Sequence, residues 1–491
     1  MADTYQRRCV HGTRRRICAA ALAVGALVAS AGCSATDTVE AAPEAATSGY
    51  GSGSASASGS SSGSAVQLTP AVAAQLDTAI NRVLKQANVP GVIVGLSIPG
   101  NGTYTRAFGV ADRTAGTAMS TGLNMRIGSE TKTFTVTALL RLVDAGKVAL
   151  DDPVGKYVSN VPNGDRITLR QLAEMRSGLY SYSNDPDFAQ ALISDPKRSF
   201  TPQELLAYAF KHPVVFDPGA QFQYSNTNAV LLGLVVEKAS GQALQDYLQQ
   251  QVFAPAGLRH TVLPTDATFP DPHARGYTNQ TSNGAIVDAT DWNPSWGWAA
   301  GAMISNLADL QNWAGVLATG ALLSPATQAQ RLNALPTGYP DTGYGLGLFI
   351  DHGWIGHNGS LPGYQSLVLY LPSVKASLVV LTNTDVGYQG SENSTLFGQA
   401  ITGIVTPGNV FSLPAMPSSS ASGAPSSSSP SPSPSSPSPS PSASASSSAS
   451  PSASASASTS VSASTSAETS ASASAGVIGA AFGDRLAVVR R

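Results

Sequence analysis

The 491-residue chain has three cysteines, and all of them, Cys9, Cys18 and Cys33, precede the region able to fold. No disulfide can staple that region and no Cys/His metal site can assemble within it, so packing must hold it together. Charge is also scarce, at 12% of residues, and unevenly spread. Residues 1–32 hold five Arg against one acid and residues 411–491 three Arg against two acids, which leaves −7 on the body between them in a chain of net charge −2. An acidic body lacks the basic face that phosphates require, which argues against nucleic acid as a partner. It also means that an anionic substrate must be met by local cations. Two blocks, Ala41–Ser64 and Pro417–Ala475, consist largely of Ser, Ala, Gly and Pro, and the second holds one charged residue, Glu468, and no aromatic. Neither can bury enough apolar surface to offset its ordering entropy.

What is present lies between those blocks, where all five Trp and most aliphatic residues are found. The chain divides into an export signal over 1–33, a Ser/Gly-rich linker over 34–64, a folded body over 65–410 and a disordered tail over 411–491. Arg7, Arg8, Arg14, Arg15 and Arg16 make a basic start to an apolar run, Ile17–Ser30, that is too short to span a bilayer comfortably. Thr13-Arg14-Arg15-Arg16-Ile17 fits a twin-arginine pattern, Ala29-Ser30-Ala31 suits a signal peptidase, and Ala31-Gly32-Cys33 makes Cys33 a candidate for lipid attachment. The expected location is outside the cell or on its envelope.

Within the body, periodicity predicts an opening helix over Thr69–Ala87. Val92–Ile98 and Thr103–Val110 flank Pro99-Gly100-Asn101-Gly102, which predicts a hairpin, and Gln365–Leu371 and Ser377–Leu381 form a second strand pair. The stretch from about 152 to 288 reads as helix and loop with Pro breaks. The expected fold is therefore α/β: an antiparallel sheet of five or more strands, built from both ends of the chain and flanked by helices, with a mostly helical subdomain inserted.

Three short patterns carry chemistry. Ser129-Glu130-Thr131-Lys132 opens an apolar helix and puts Ser129 and Lys132 one turn apart on one face. A serine hydroxyl is a poor nucleophile at neutral pH, and a neighbouring amine can take its proton. The bland alternative is a surface helix cap. Tyr224-Ser225-Asn226 lies just before a helix over Ala229–Ala239, where a phenol could shuttle protons and Asn226 could hold an amide; alone, it reads equally as a buried Tyr beside a capping Asn. His357-Asn358-Gly359-Ser360 sits on or beside an edge strand, with glycine allowing a substrate close to the backbone.

In this order the three patterns resemble those of the penicillin-recognising serine enzymes with a class C β-lactamase-like fold, and the His variant is similar to soluble serine D-alanyl-D-alanine carboxypeptidases. The resemblance spans about Leu68 to Val405 and includes "RIGSETKTF", "EMRSGLYSYSND", "FQYSNTNAVLLGLVVEK", "SWGWAAGAMIS", "GYGLGL" and "GHNGSLPGY". It implies Ser129 as acylated nucleophile, Lys132 and Tyr224 as the proton-handling pair, Asn226 orienting the substrate amide and His357 standing where a lysine is usual. It further implies an oxyanion hole from the N–H groups of Ser129 and Ser360, and Trp296 as an aromatic wall over the substrate, the alternative being a core Trp. No metal or cofactor is implied, and a monomer is expected.

The implied activity is a D-alanyl-D-alanine carboxypeptidase that forms an acyl-enzyme on peptidoglycan stem peptides or related D-amino-acid acyl substrates and takes β-lactams as covalent ligands. A class C-like β-lactamase, a D-amino-acid amidase and a carboxylic esterase are the alternatives, and a non-catalytic wall-binding or sensor module is a further one that intact Ser129, Lys132 and Tyr224 disfavour. Two departures bear on specificity: Asn358 replaces the triplet's Thr, and Phe349-Ile350-Asp351 replaces a basic cluster. Both fall where a terminal carboxylate would be received, with His357, if protonated, as a substitute charge.

Overall fold

The computed structural model describes residues 65–413. The export signal, the linker and the tail beyond Leu413 lie outside the described residues. Helix α1 (Pro70–Gln86) is capped by Thr69, whose side chain accepts from the Val72 N–H, and its proline takes the first helical position, where no N–H is needed. The chain then runs into β1 (Gly91–Ile98) and β2 (Gly102–Asp112), joined by the turn that Asn-Gly predicts, with Ile98 opposite Gly102. After the short β3 (Thr117–Ala118) come α2 (Thr131–Asp144), α3 (Asn226–Ser240) and α4 (Leu307–Thr319). Six strands follow: β4 (Leu335–Pro336), β5 (Thr342–Tyr344), β6 (Phe349–Asp351), β7 (Trp354–Leu361), β8 (Tyr364–Leu371) and β9 (Ala376–Thr382). Helix α5 (Asn393–Val405) comes after the last strand.

The nine strands make one antiparallel sheet in the order β3-β2-β1-β9-β8-β7-β6-β5-β4. Strands from both ends of the chain share this sheet, as the sequence predicts, and they meet where β1 pairs with β9, with Val94 opposite Val380. Both faces are covered. Val92, Val94 and Leu96 pack with Leu76 and Ile80 of α1 and Phe397 and Ile401 of α5. On the other face Ile93, Val379 and Leu381 join Phe134 of α2 and Leu310 and Trp313 of α4. Alternate residues of a strand point to opposite faces, which explains why β1 and β9 read as nearly unbroken apolar runs.

The stretch from 152 to 288 carries α3, four shorter helices (Leu169–Ala173, Pro186–Ser194, Pro202–Phe210, Leu244–Leu248) and a strand pair, Tyr277–Thr278 with Val287–Asp288. Most of its buried apolar residues, among them Leu172, Leu205 and Val230, belong to the same cluster as Val368 and Leu381 of the sheet. The folded body also runs past 410. Phe411 and Leu413 are buried beside Trp354, and the Ser412 N–H donates to the Asp351 carboxylate at 2.9 Å. A boundary set by composition falls short here, because the apolar alternation outlasts the last helix by a few residues.

The edge expected at His357 is real but partial. Strand β7 lies inside the sheet, yet β6 pairs only with Trp354–Gly356, so the half holding His357-Asn358-Gly359-Ser360 has β8 on one side and the Ile127–Ser129 turn on the other.

Candidate active site

The turn that carries Ser129 depends on a glycine. Gly128 has a φ of +53°, and a β-carbon on it would stand 2.5 Å from the Ser360 nitrogen, so only glycine brings this turn against β7. A single tight turn, Gly128–Glu130, then feeds α2, a helix buried nearly all round. Its side chains grip the segment 299–303: the Met303 N–H donates to Thr131 Oγ1 at 3.1 Å, Thr135 Oγ1 donates to the Ala299 carbonyl at 2.7 Å, and Lys132 Nζ donates to the Ala300 carbonyl at 2.7 Å. The same Lys132 amine lies 3.0 Å from Ser129 Oγ. Lys132 is 0% exposed and Ser129 9%, so the amine meets the hydroxyl away from bulk water.

Tyr224 completes this group, its ring centroid 4.8 Å from Lys132 Nζ. Its loop is pinned where the Gln223 N–H donates to the Met175 carbonyl, and the next residues begin α3. Asn226 is therefore the first residue of the helix rather than part of the loop before it. Its N–H donates to Ser181 Oγ at 3.0 Å and its Nδ2 to Ser183 Oγ at 2.9 Å, while Thr227 Oγ1 accepts from the Tyr182 N–H. The "YSYSN" stretch thus acts as a clamp on the start of α3.

A narrow cleft opens over Ser129, lined by Tyr224, Phe349, Asn358, Ser360 and Glu392. It gathers Ser129, Tyr224 and Ser360 of the predicted residues, together with both departures from the family pattern, Phe349 and Asn358. Asp351 is turned elsewhere, holding Thr342 Oγ1 and the Ser412 N–H. The residue that sequence reasoning missed is Glu392. It precedes a helix and reads as a favourable charge at a helix start, yet its Oε2 accepts from Asn358 Nδ2 at 2.8 Å.

Two expectations are corrected. Trp296 is 5% exposed and lies in the core, its ring near Phe188 and its carbonyl accepting from Tyr182 O–H at 2.7 Å. That bond and the Asn293 cap hold the loop that carries the indole, and Trp296 is not among the residues that line the cleft. His357 is 1% exposed and is not a cation. Burial, and then the neighbouring Lys132 amine, push its imidazole down to about 3 against the pull of the Asn358 carbonyl. Nδ1–H meets that carbonyl, and Nε2 accepts from the Tyr344 phenol at 3.2 Å, a group that burial keeps protonated. His357 is thus neutral, its ring centroid 5.9 Å from that of Tyr224.

Next to the nucleophile in the chain lies another buried group, one to which the sequence assigns no role. Glu130 is fully buried, and burial raises its carboxyl well above the usual range, against the Thr133 hydroxyl and Arg331. Thr133 Oγ1 in turn accepts from Trp313 Nε1 at 2.9 Å, and Arg331 donates to the Thr133 carbonyl at 2.8 Å.

The chain shares this architecture with known proteins. It is 32% identical to a D-stereospecific amidohydrolase from Streptomyces sp., with a TM-score of 0.61 over 68% of this chain and 98% of that one. A D-amino acid amidase from Ochrobactrum anthropi SV3, solved with L-phenylalanine amide, is 29% identical, with a TM-score of 0.60 over 67% of this chain and 97% of that one. Among curated relatives, Protein flp of Staphylococcus aureus (strain MW2) is 27% identical over 335 residues, 66% of this chain, and the chain spans only 65% of that relative's length. A family model described as Beta-lactamase matches residues 76–397, most of the folded body, and the chain belongs to the beta-lactamase family.

Proposed function

We propose that this serine hydrolase of the beta-lactamase fold cleaves amide bonds of D-configured acyl groups through an acyl-enzyme on Ser129. The observation that carries the reading is the 3.0 Å approach of Lys132 Nζ to Ser129 Oγ, with the Tyr224 ring beside the amine. In this reading the neutral amine or the phenolate takes the hydroxyl proton as Oγ attacks the carbonyl carbon. The N–H groups of Ser129 and Ser360 would serve the developing oxyanion. The proton passes to the departing nitrogen, the C–N bond breaks, and water later cleaves the serine ester with the same pair acting as base. A β-lactam would follow the first half of this path and remain as a covalent adduct.

The D-alanyl-D-alanine carboxypeptidase reading draws support from the His-type triplet. It also needs a cation for the substrate's terminal carboxylate. His357 is neutral, Phe349 and Asn358 are uncharged, and none of the described residues lining the cleft is a Lys or Arg. An amide leaving group without a terminal charge suits this cleft better, in line with its likeness to the Streptomyces amidohydrolase and the Ochrobactrum amidase. Read with residues 1–33 as an export signal, the activity would act outside the cytoplasm on D-amino-acid amides or D-terminated peptides.

The test is turnover of D- and L-phenylalanine amide, followed by ammonia release, in the wild type and Ser129→Ala. The D-amide should be preferred by at least about tenfold, and loss of the nucleophile should lower turnover by about a thousandfold or more. Preference for the L-amide, or unchanged turnover without Ser129, would overturn the proposal.

A further inference from the structure

Glu392 puts a carboxylate into the cleft, and its local structure explains why it points there. It stands just before α5, where an acidic side chain would ordinarily accept from the first helical N–H groups. Those groups are already taken: the N–H groups of Asn393 and Ser394 donate to Gln365 Oε1 at 2.8 and 3.3 Å, and the Glu392 side chain makes no capping bond. It turns instead to Asn358, whose amide holds Oε2 at 2.8 Å and lies two residues from Ser360 along β7.

The cleft also fixes which part of a substrate meets this carboxylate. A departing nitrogen must receive its proton from the Lys132–Tyr224 pair, so the leaving group enters the cleft on the side of Tyr224. That same narrow cleft is lined by Phe349, Asn358 and Glu392. Resting on the acyl-enzyme reading above, we infer that Glu392, oriented by Asn358, sets specificity for the leaving group's charge: it favours leaving groups that present a cation or an N–H donor and rejects those that end in a carboxylate. Two like charges brought together in a narrow, half-buried cleft repel, whereas an ammonium there gains an ion pair. Asn358 is a positioning residue in this account, since it acts through Glu392.

A matched series tests the inference: N-acetyl-D-alanine joined to glycine, to glycinamide or to ethylenediamine, which makes the leaving group anionic, neutral or cationic at nearly constant size. For the wild type, kcat/KM should rise in that order, with at least about a hundredfold between the extremes at low salt, and the spread should narrow as salt is added. Glu392→Gln should compress the ratio of cation to anion by more than tenfold, and Asn358→Ala should compress it in the same direction to a smaller extent. A wild-type preference for the free acid overturns the inference without any variant, as does a charge order that Glu392→Gln leaves within twofold. Failure of the wild type to turn over any member of the series, together with no adduct from an activated D-alanine ester, overturns the hydrolase reading itself and this assignment with it.

Discussion

The carbonyl oxygen of Ile127 occupies the space that a β-carbon on Gly359 would need, 2.0 Å from where that carbon would stand. Ser366 Oγ donates to the same carbonyl at 2.8 Å, so β7 and β8 together hold the turn that presents Ser129. The sequence suggests that the triplet's glycine lets a substrate approach the backbone; in the structure it is the nucleophile's own turn that approaches.

Gly359→Ala should therefore strain the nucleophile's support more than the fold. The added methyl meets backbone, which cannot swing aside, so the turn must shift by a fraction of an ångström. Overpacking of this kind costs about 1–3 kcal/mol, and misplacing a reacting group by about 1 Å can cost about a hundredfold in rate. Thermal unfolding and kcat on a soluble amide check this together, and a variant with wild-type kcat would contradict it.

Lys132→Ala and Tyr224→Phe should each slow acylation by more than about a hundredfold, with the double variant little worse than either single one, because groups sharing one proton path are strongly non-additive. Stopped-flow acylation by an activated ester measures all three. Additive losses would mean that the 4.8 Å contact between amine and ring is packing and no more.

The neutral state of His357 has a consequence for stability. Its imidazole titrates at about 3 in the folded protein against 6.5 in an ordinary setting. Between those values the unfolded chain binds the extra proton, so stability falls as pH drops from 6.5 towards 3, by at most about 1.4 kcal/mol per pH unit, and above 6.5 the group contributes nothing. His357→Gln should flatten that part of the profile when urea unfolding is measured from pH 4 to 8. The rate should show no limb from His357 above pH 5, because the imidazole is already neutral there.

Glu130, its carboxyl raised by burial, should be replaceable by its uncharged counterpart. Glu130→Gln keeps the shape and the contact with Thr133, and should hold activity within a few fold and move the melting temperature by only a few degrees. Glu130→Ala leaves a hole and unpaired neighbours behind the nucleophile and should be clearly worse on both counts. Equal damage from the two would mean that an ionised carboxylate is required.

Elements with strong local signals were legible in the sequence: α1 through its apolar stripe, the β1–β2 hairpin through Asn-Gly, and the sharing of one antiparallel sheet by strands from both ends of the chain through their apolar runs. The Ser129–Lys132 pair was legible for the same reason, since three residues along a helical turn fix the approach of two side chains. What depends on distant chain segments was not. The burial of Trp296 is set by Tyr182 and Phe188, far away in sequence, and that of His357 by Tyr344 and Phe349, which reach it only once β5 and β6 fold back beside β7. Glu392 enters the cleft because Gln365 has taken the N–H groups it would otherwise cap, a relationship that exists only once the sheet and α5 are packed.

The measurement closest to the central claim is the intact mass of the protein after brief exposure to an activated D-alanine ester, with and without Ser129→Ala. The account predicts one covalent acyl adduct in the wild type, mapped to Ser129 after digestion, and none in the variant. An adduct that survives Ser129→Ala, or one mapped to another residue, would contradict it.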